Sequence, residues 1–529
     1  MRNMTISKRR AEFKRWFIMS EMTKSLNSIA KGTIFSSVGI FLALFLSFLQ
    51  RWAIIRVTTP EEYGLYSLSL AVTAIFLSIG RLGLHDGIAR VISMHSSVKS
   101  DVSRKSILSS LIFVSSVSGG AGLLILIFGS PYISSFFGKD IKWILQVVAI
   151  SLPFCLLLDF LISFFRGIEK AEVNVIFSDF ARNFVFLSIL VVIFVKKMPF
   201  HTIILGYVIS FVIAAVSILF YTFRKVGYPE VQRTIPLTEE MVLFSLPLLG
   251  GSLFQLITAW ADTLLLGVFK SSGEIALYNA ALPTSRLIQV FLGAFLFIYM
   301  PVATSLFSRG LFPEMKKIYA IVSKWVLFLT IPLFLVLFFN AEILFRFLYG
   351  YRYLDAVLPF RIIAVGYLLH TAFGPNGGAL IAMGKTRIMM GTTILTAVIN
   401  FTANLLLIPT MGMEGAAISM LITLIAASVF RGVALYIISG IHPLGGRYVK
   451  PLLLFFPLMW GCQSIVERSM ALEAWMLPFL LVAYIFLYGF CMILSRSVDQ
   501  EDIWMLLTME KRLGIDFTFF KGILKKFLK

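Results

Sequence analysis

The sequence predicts an all-α integral membrane protein of fourteen transmembrane helices, arranged as two pseudo-symmetric six-helix lobes plus two C-terminal helices. Three observations carry this expectation. Of the 529 residues, 58% are hydrophobic and only 14% are charged, with 51 Phe. Soluble domains carry about a quarter charged residues, so most of this chain has no water-facing side. The apolar stretches are continuous and not alternating, which selects helices over a β-barrel. Short segments of the first half also recur in the second at a nearly constant distance.

The elements follow in order from the apolar runs. These cover 33–55, 65–84, 106–128, 143–165, 175–195, 203–223, 241–268, 277–303, 318–340, 359–382, 388–408, 414–440, 450–466 and 474–495. Most have the roughly 20 residues that a helix needs to cross a bilayer. Prolines Pro153, Pro247, Pro283, Pro332 and Pro375 lie inside runs, where each removes a backbone donor and bends its helix. The first 30 residues are basic and carry no apolar core of signal-peptide length, which reads as a cytoplasmic tail. No connecting loop exceeds about 20 residues, too few for a globular catalytic domain of the usual ~50 or more.

Charge sets the orientation. With the N-terminus inside, and with Arg81, Arg182 and Lys450 in the inner parts of their runs counted on that side, 33 of the 47 Lys and Arg fall inside and 9 in outer loops. The remainder, Arg51, Arg286, Lys324, Arg361 and Arg431, lie within spans. An inner excess of this size places both termini in the cytoplasm and the chain in the cell membrane. The net charge of +20 is therefore a topological signal, and nucleic acid is not an expected partner. Cys155, Cys462 and Cys491 all lie in apolar runs without ligand spacing, so neither a disulfide framework nor a metal site is expected.

The internal repeat is legible residue by residue. Glu62, Leu65, Tyr66 and Leu70 recur as Glu274, Leu277, Tyr278 and Leu282, at an offset of 212. Phe137-Gly138 recurs as Tyr349-Gly350, Asn183-Phe184 as Asn400-Phe401, and Gly206…Ile209-Ser210 as Gly415…Ile418-Ser419. The repeat covers an even number of spans, so the halves share one orientation and are related by an axis along the membrane normal. The expected organisation is a basic N-tail (1–30), an N-lobe (31–223), a cytoplasmic linker (224–240), a C-lobe (241–440), two appended spans (441–495) and a basic C-tail (496–529).

Around the eleventh and twelfth runs the chain reads Asn400-Phe-Thr-Ala-Asn404-Leu-Leu-Leu-Ile-Pro409-Thr-Met-Gly412-Met-Glu-Gly415-Ala-Ala. This stretch resembles one in the multidrug/oligosaccharidyl-lipid/polysaccharide exporter superfamily. Pro60-Glu-Glu-Tyr-Gly-Leu-Tyr66, and Tyr349-Gly350 followed by Tyr353 and Ala356, are similar to its polysaccharide transporter branch, the lipid-linked O-antigen and repeat-unit flippases. The resemblance covers nearly the whole chain. It implies two six-helix lobes, alternating access, and translocation of a polyprenyl-(pyro)phosphate-linked saccharide to the outer leaflet.

A charge inside a span costs several kcal/mol and needs a reason. Arg286 and Arg431 are the deepest basic residues; Lys324, Arg51 and Arg361 lie nearer span ends. As a set they are candidates to line a cationic cavity for lipid-carrier phosphates, because arginine presents a planar fork that matches phosphate oxygens. Asp262 is a candidate for the cavity or for ion coupling. Gln255, Asn279, Asn400 and Asn404 are candidate saccharide contacts, and interhelical hydrogen bonds account for them equally well. Pro283, three residues before Arg286, is the candidate hinge.

No catalytic residue, metal or cofactor is expected. Gly384-Lys385-Thr386 imitates a P-loop end, but the glycine required five residues earlier is Ala379. The expected function is a transporter, a flippase of lipid-linked oligosaccharide for cell-surface polysaccharide or glycoconjugate synthesis. Its partners are that lipid, the bilayer and, as an open alternative, a coupling proton or sodium ion; a monomer is the default. The competing readings are a cation-coupled multidrug exporter and an integral membrane glycosyltransferase or polymerase. The first commonly uses N-terminal buried carboxylates and the second a long polar loop, and this chain has neither in that form.

Overall fold

A computed structural model describes residues 39, 42–85, 87–88, 92, 101–168, 170, 172–230, 234–442, 455, 457–464 and 472–495. The basic tails 1–30 and 496–529 lie outside them. The described residues form helices, turns and bends, with no strand among them. Large apolar side chains stand on the outside, including Phe128, Phe136, Val195, Ile437 and Phe479, as expected of a surface that faces lipid.

The helices follow the apolar runs. They are α1 (42–57), α2 (Pro60–Gly80), α3 (Asp101–Phe137), α4 (Lys142–Ala149), α5 (Leu152–Gly167), α6 (Glu172–Lys196), α7 (His201–Val226) and α8 (Thr234–Phe269). Next come α9 (Ser272–Ser285), α10 (Val290–Ser308), α11 (Phe312–Phe339), α12 (Ala341–Leu348), α13 (Val357–Ala372), α14 (Asn376–Ala382), α15 (Thr386–Ser439), α16 (457–464) and α17 (Leu477–Leu494). Among the described residues, ten segments are long and apolar enough to cross a membrane, or eleven if the bent pair α4–α5 is one span. The sequence suggests fourteen. The 54-residue α15 holds two of the expected runs, and runs 33–55 and 450–466 lie partly outside the described residues.

α15 is a hairpin. A straight helix would hold residues 23 apart at about 35 Å, yet Asn400 Nδ2 donates to Thr423 Oγ1 at 3.2 Å. The turn is Gly412, at φ 61° and ψ −133°. A Cβ there would fall 2.3 Å from Glu274 Oε2, and the same carboxylate accepts from the Met413 N–H at 3.3 Å. Glu274 also closes the N-terminus of α9, where Ser271 Oγ accepts from its N–H at 3.2 Å.

The tenth expected run is broken. α13 ends at Ala372, Phe373-Gly374-Pro375 turns, and α14 resumes at Asn376. Gly374 has φ +64°, and a Cβ on it would fall 2.1 Å from Ser323 Oγ. Any other residue type here would be strained in φ and would need the Ser323 side chain to move.

The chain divides into two units, residues to Thr59 with Ser69–Leu253, and Pro60–Leu68 with the residues from Phe254. Within the expected linker, helix resumes at Thr234, so the division falls inside α8. In the first unit, α3 and α7 pack on α5 around Leu108, Leu111, Phe160, Phe164 and Ile218. In the second, α10, α11 and α14 enclose Leu292, Tyr299, Tyr319, Val326 and Leu380, and α13 lies along α15.

Candidate functional site

A cluster of buried polar groups lies inside the second unit. Asp262, on α8, is 1% exposed. The Tyr278 hydroxyl on α9 donates to its Oδ2. Asn404 Nδ2 donates to its Oδ1, and Asn400 Nδ2 lies 3.4 Å from the same oxygen. Asn400 and Asn404 stand one turn apart on the first limb of α15, so both face α8. Asn400 also reaches Thr423 on the second limb. The Asn400 and Asn404 Oδ1 atoms are buried with no donor among the described residues. Orphaned oxygens of this kind are costly, and here they belong to the two amides whose nitrogens face the Asp262 carboxylate. Oxygen atoms from three helical segments in one dry place match what a hard cation requires.

Arg286 lies beside this cluster. Pro283 has no N–H for the carbonyl of Asn279, four residues back, and the Tyr63 hydroxyl donates to that oxygen instead, at 3.4 Å. Thr284 and Ser285 return their hydroxyls to the carbonyls of Ala280 and Ala281 at 2.7 and 2.9 Å. The helix then tightens into a 3-10 turn, Arg286–Gln289, before α10. Arg286 Nε donates to Tyr367 Oη on α13 at 3.2 Å, and its charge is within electrostatic reach of Asp262 and Tyr278. Its side chain keeps accessible surface while lying deep among protein atoms.

The other candidates separate by their partners. Arg361 donates from Nε to the Phe338 carbonyl at 3.1 Å and lies 3.7 Å from Glu342, so it ties α13 to α11 and α12. Asn279 joins α9 to α8 through Thr263 at 3.1 Å. Both fit the interhelical reading. Gln255 is exposed on α8, Lys324 is buried in α11, and Arg51 is half-buried in α1 of the first unit. Arg431, on the second limb of α15, has a buried Nε without a partner among the described residues.

Sequence reading did not single out Thr423, Tyr367, His370, Ser428 or Asn376. Yet His370 Nδ1 lies 2.7 Å from Ser428 Oγ, and Asn376 Nδ2 donates to the Ser428 carbonyl at 3.1 Å. The repeat offset is the signal that finds the counterpart cluster in the first unit. Gln50 corresponds to Asp262 at the offset of 212, and Asn183 to Asn400. Gln50 Nε2 donates to the Asn183 carbonyl at 2.7 Å and lies 3.3 Å from its Oδ1. Arg182 Nη2 donates to that Oδ1 at 2.7 Å. Arg182 closes an eight-residue π-helical segment, Val175–Arg182, a geometry often retained at functional positions. Nearby, Arg81 Nη2 and Asp159 form a 2.7 Å ion pair.

Comparison with known proteins places these features in a family. The model of the family described as "Polysaccharide biosynthesis protein" matches residues 29–307, more than half of the 529. The chain is 23% identical over 415 residues to an uncharacterized membrane protein of Methanocaldococcus jannaschii, covering 74% of this chain and 80% of that one. It is 23% identical over 175 residues to a probable low-salt glycan biosynthesis flippase of Haloferax volcanii, 32% of this chain and 35% of that one. Among solved structures, a lipid II flippase in an inward closed conformation aligns with TM-score 0.68 at 16% identity, over 87% of this chain and 97% of that one. An inward-facing multidrug resistance transporter of the multidrug/oligosaccharidyl-lipid/polysaccharide superfamily aligns at 0.62 and 13% identity, over 75% and 94%.

Proposed function

Because the chain belongs to the polysaccharide biosynthesis protein family of this transporter superfamily, we propose that it flips a polyprenyl-(pyro)phosphate-linked oligosaccharide by alternating access. It is a multi-pass membrane transporter and not an enzyme. In this reading it works in the cell membrane with both termini cytoplasmic, as a monomer. The saccharide head enters from the cytoplasmic side, and the polyprenyl tail stays in lipid.

The observation that carries the reading is the pairing of the Asp262 cluster with Arg286. Arg286 is the phosphate ligand. Its fork suits phosphate oxygens, and without substrate its electrostatic counterweight is Asp262. A sodium ion or proton at Asp262 cancels that counterweight, and Arg286 then binds the phosphate more strongly. Cation and anion binding are therefore mutually favourable, and by linkage each raises the affinity of the other by the same factor. The amides of Asn400 and Asn404 turn their oxygens to sodium when it binds. Pro283 and the 3-10 turn behind it form the hinge that moves Arg286.

The test is transbilayer movement of a lipid-linked oligosaccharide by the purified chain in liposomes, with and without a sodium or proton gradient. Wild type moves the lipid, Arg286→Gln does not, and Asp262→Asn loses the response to the gradient. Cation-driven efflux of a cationic dye, with no lipid movement, would instead establish the drug-exporter reading.

A further inference from the structure

Arg431 stands apart from the other buried cations of the second unit. It makes no hydrogen bond or ion pair among the described residues, and its Nε is buried. Its stem lies over Gly377, where a built Cβ would stand 3.8 Å from Cδ and 3.9 Å from Nη1. The elements around it supply no neutralising charge. α10, α13 and α14 contain no Asp or Glu, the second limb of α15 has only Glu414 at its far end, and α11 only Glu314 in its first turn. His370 lies within electrostatic reach of Arg431, and the other charged residues of α11 and of the turn before α15 are Lys316, Lys317, Lys324, Lys385 and Arg387. Every charged group among them is basic. A guanidinium buried in a membrane protein without a counter-ion is expensive, and a bound anion removes that cost.

The surroundings of Arg431 are fixed by side-chain hydrogen bonds. The tenth span breaks at Gly374 beside Arg431, and Asn376 pins the break. Its Oδ1 accepts from the Gly377 N–H at 2.6 Å, and its Nδ2 holds the Ser428 carbonyl at 3.1 Å. Ser428 donates its hydroxyl proton to the Leu424 carbonyl at 2.7 Å. With that proton so placed, His370 Nδ1 donates to Ser428 Oγ, and the ring also interacts with the Leu424 backbone and with the charge of Arg431.

α13 and the second limb of α15 run side by side in the same direction, Gly366 against Leu421 and Leu424, His370 against Ser428. The Tyr367 rung, which holds Arg286, lies about six residues before Arg431 on this seam. At 1.5 Å per residue that is roughly 9 Å.

We infer that Arg431 and His370, at the break pinned by Asn376, form a second anion site that binds the phosphate or diphosphate of the lipid carrier one step from Arg286. The inference rests on the flippase reading. The carrier phosphate docks first at Arg431, on the side of the Gly384-Lys385 turn, and passes along the seam to Arg286. The same chemistry would accept an anionic phospholipid headgroup, so the experiment separates the two sources.

The probe is dansyl-labelled farnesyl diphosphate, titrated onto the full chain in phosphatidylcholine nanodiscs. Wild type binds it. Arg431→Gln weakens binding at least tenfold while its melting temperature without probe stays level or rises, because an unpaired buried charge has been removed. Arg431→Lys, which keeps the charge but not the fork, loses less. Binding by Arg431→Gln equal to wild type overturns the second site and leaves the flippase reading intact. No binding by wild type or any variant counts against the flippase reading itself. If Arg431→Gln does not fold, Arg431→Lys carries the test, and unchanged affinity in it overturns the site. Binding that persists in discs containing phosphatidylglycerol assigns the site to the carrier. Displacement by phosphatidylglycerol assigns it to bilayer headgroups and overturns the relay.

Discussion

Among the described residues, Asp262 is the one acidic side chain that is fully buried. Its partners Tyr278, Asn400 and Asn404 come from two other helical segments, which shows that packing has been arranged around it. Asp262→Asn keeps the shape and removes the charge. Gradient-driven transport is expected to fall at least about tenfold, equivalent to about 1.4 kcal/mol, and to stop responding to sodium or pH. The proteoliposome assay at several gradients reads this directly. Asn279→Ala is the contrast, because that amide only joins α9 to α8. Loss of the Thr263 bond should cost about 1 kcal/mol of stability, seen as a lower melting temperature with transport retained. Asp262, Arg286 and Arg431 are legible in the sequence because each is a charge inside an apolar run. Tyr367, His370 and Ser428 are not. A tyrosine, histidine or serine in such a run has the composition of an ordinary core, and only the path of the backbone decides that they share a seam.

At the scale of the element, the polar seam exists because two helices are interrupted. Gly412 closes the α15 hairpin and so brings Asn400 against Thr423. Gly374 opens the tenth span beside Arg431. Gly412→Ala forces a side chain into positive φ and onto the Glu274 carboxylate. The expected cost is about 1–3 kcal/mol, measured as a lower melting temperature, and the Asp262 cluster should lose cation affinity with it. Gly374→Ala meets Ser323 Oγ and should likewise destabilise; pairing it with Ser323→Ala relieves the clash but not the strained φ, so recovery should be partial. The apolar runs located these helices well, since hydrophobic length is a local property. Their interruptions were less legible. Pro375 marks the break of the tenth span, but proline also sits inside helices that stay continuous, as Pro332 does in α11. The span count of a hairpin such as α15 depends on a single glycine.

At the scale of the whole molecule, the duplication explains why one half carries the acidic site. Gln50 matches Asp262 at an offset of 212 and Asn183 matches Asn400 at 217, and each pair is joined by a hydrogen bond in its own unit. The first half places an amide where the second has a carboxylate. It also places Arg182 where the second has Ile399, and the Arg182 guanidinium donates to Asn183 Oδ1. The first half thus holds a built-in cation at the position where the second is suited to a free one. If the repeat and the proposed cation site hold, the two halves differ in function at these two positions. One coupling cation per molecule is therefore expected. Stabilisation of the purified chain by sodium, or by protons if they are the coupling ion, should saturate with a Hill coefficient near 1 and vanish in Asp262→Asn. Gln50→Ala should lower the melting temperature at every cation concentration without changing the affinity. Loss of the cation response in Gln50→Ala, or a Hill coefficient approaching 2, would mean that the first half binds a cation too. The two pseudo-equivalent clusters would then have kept one function and not divided it.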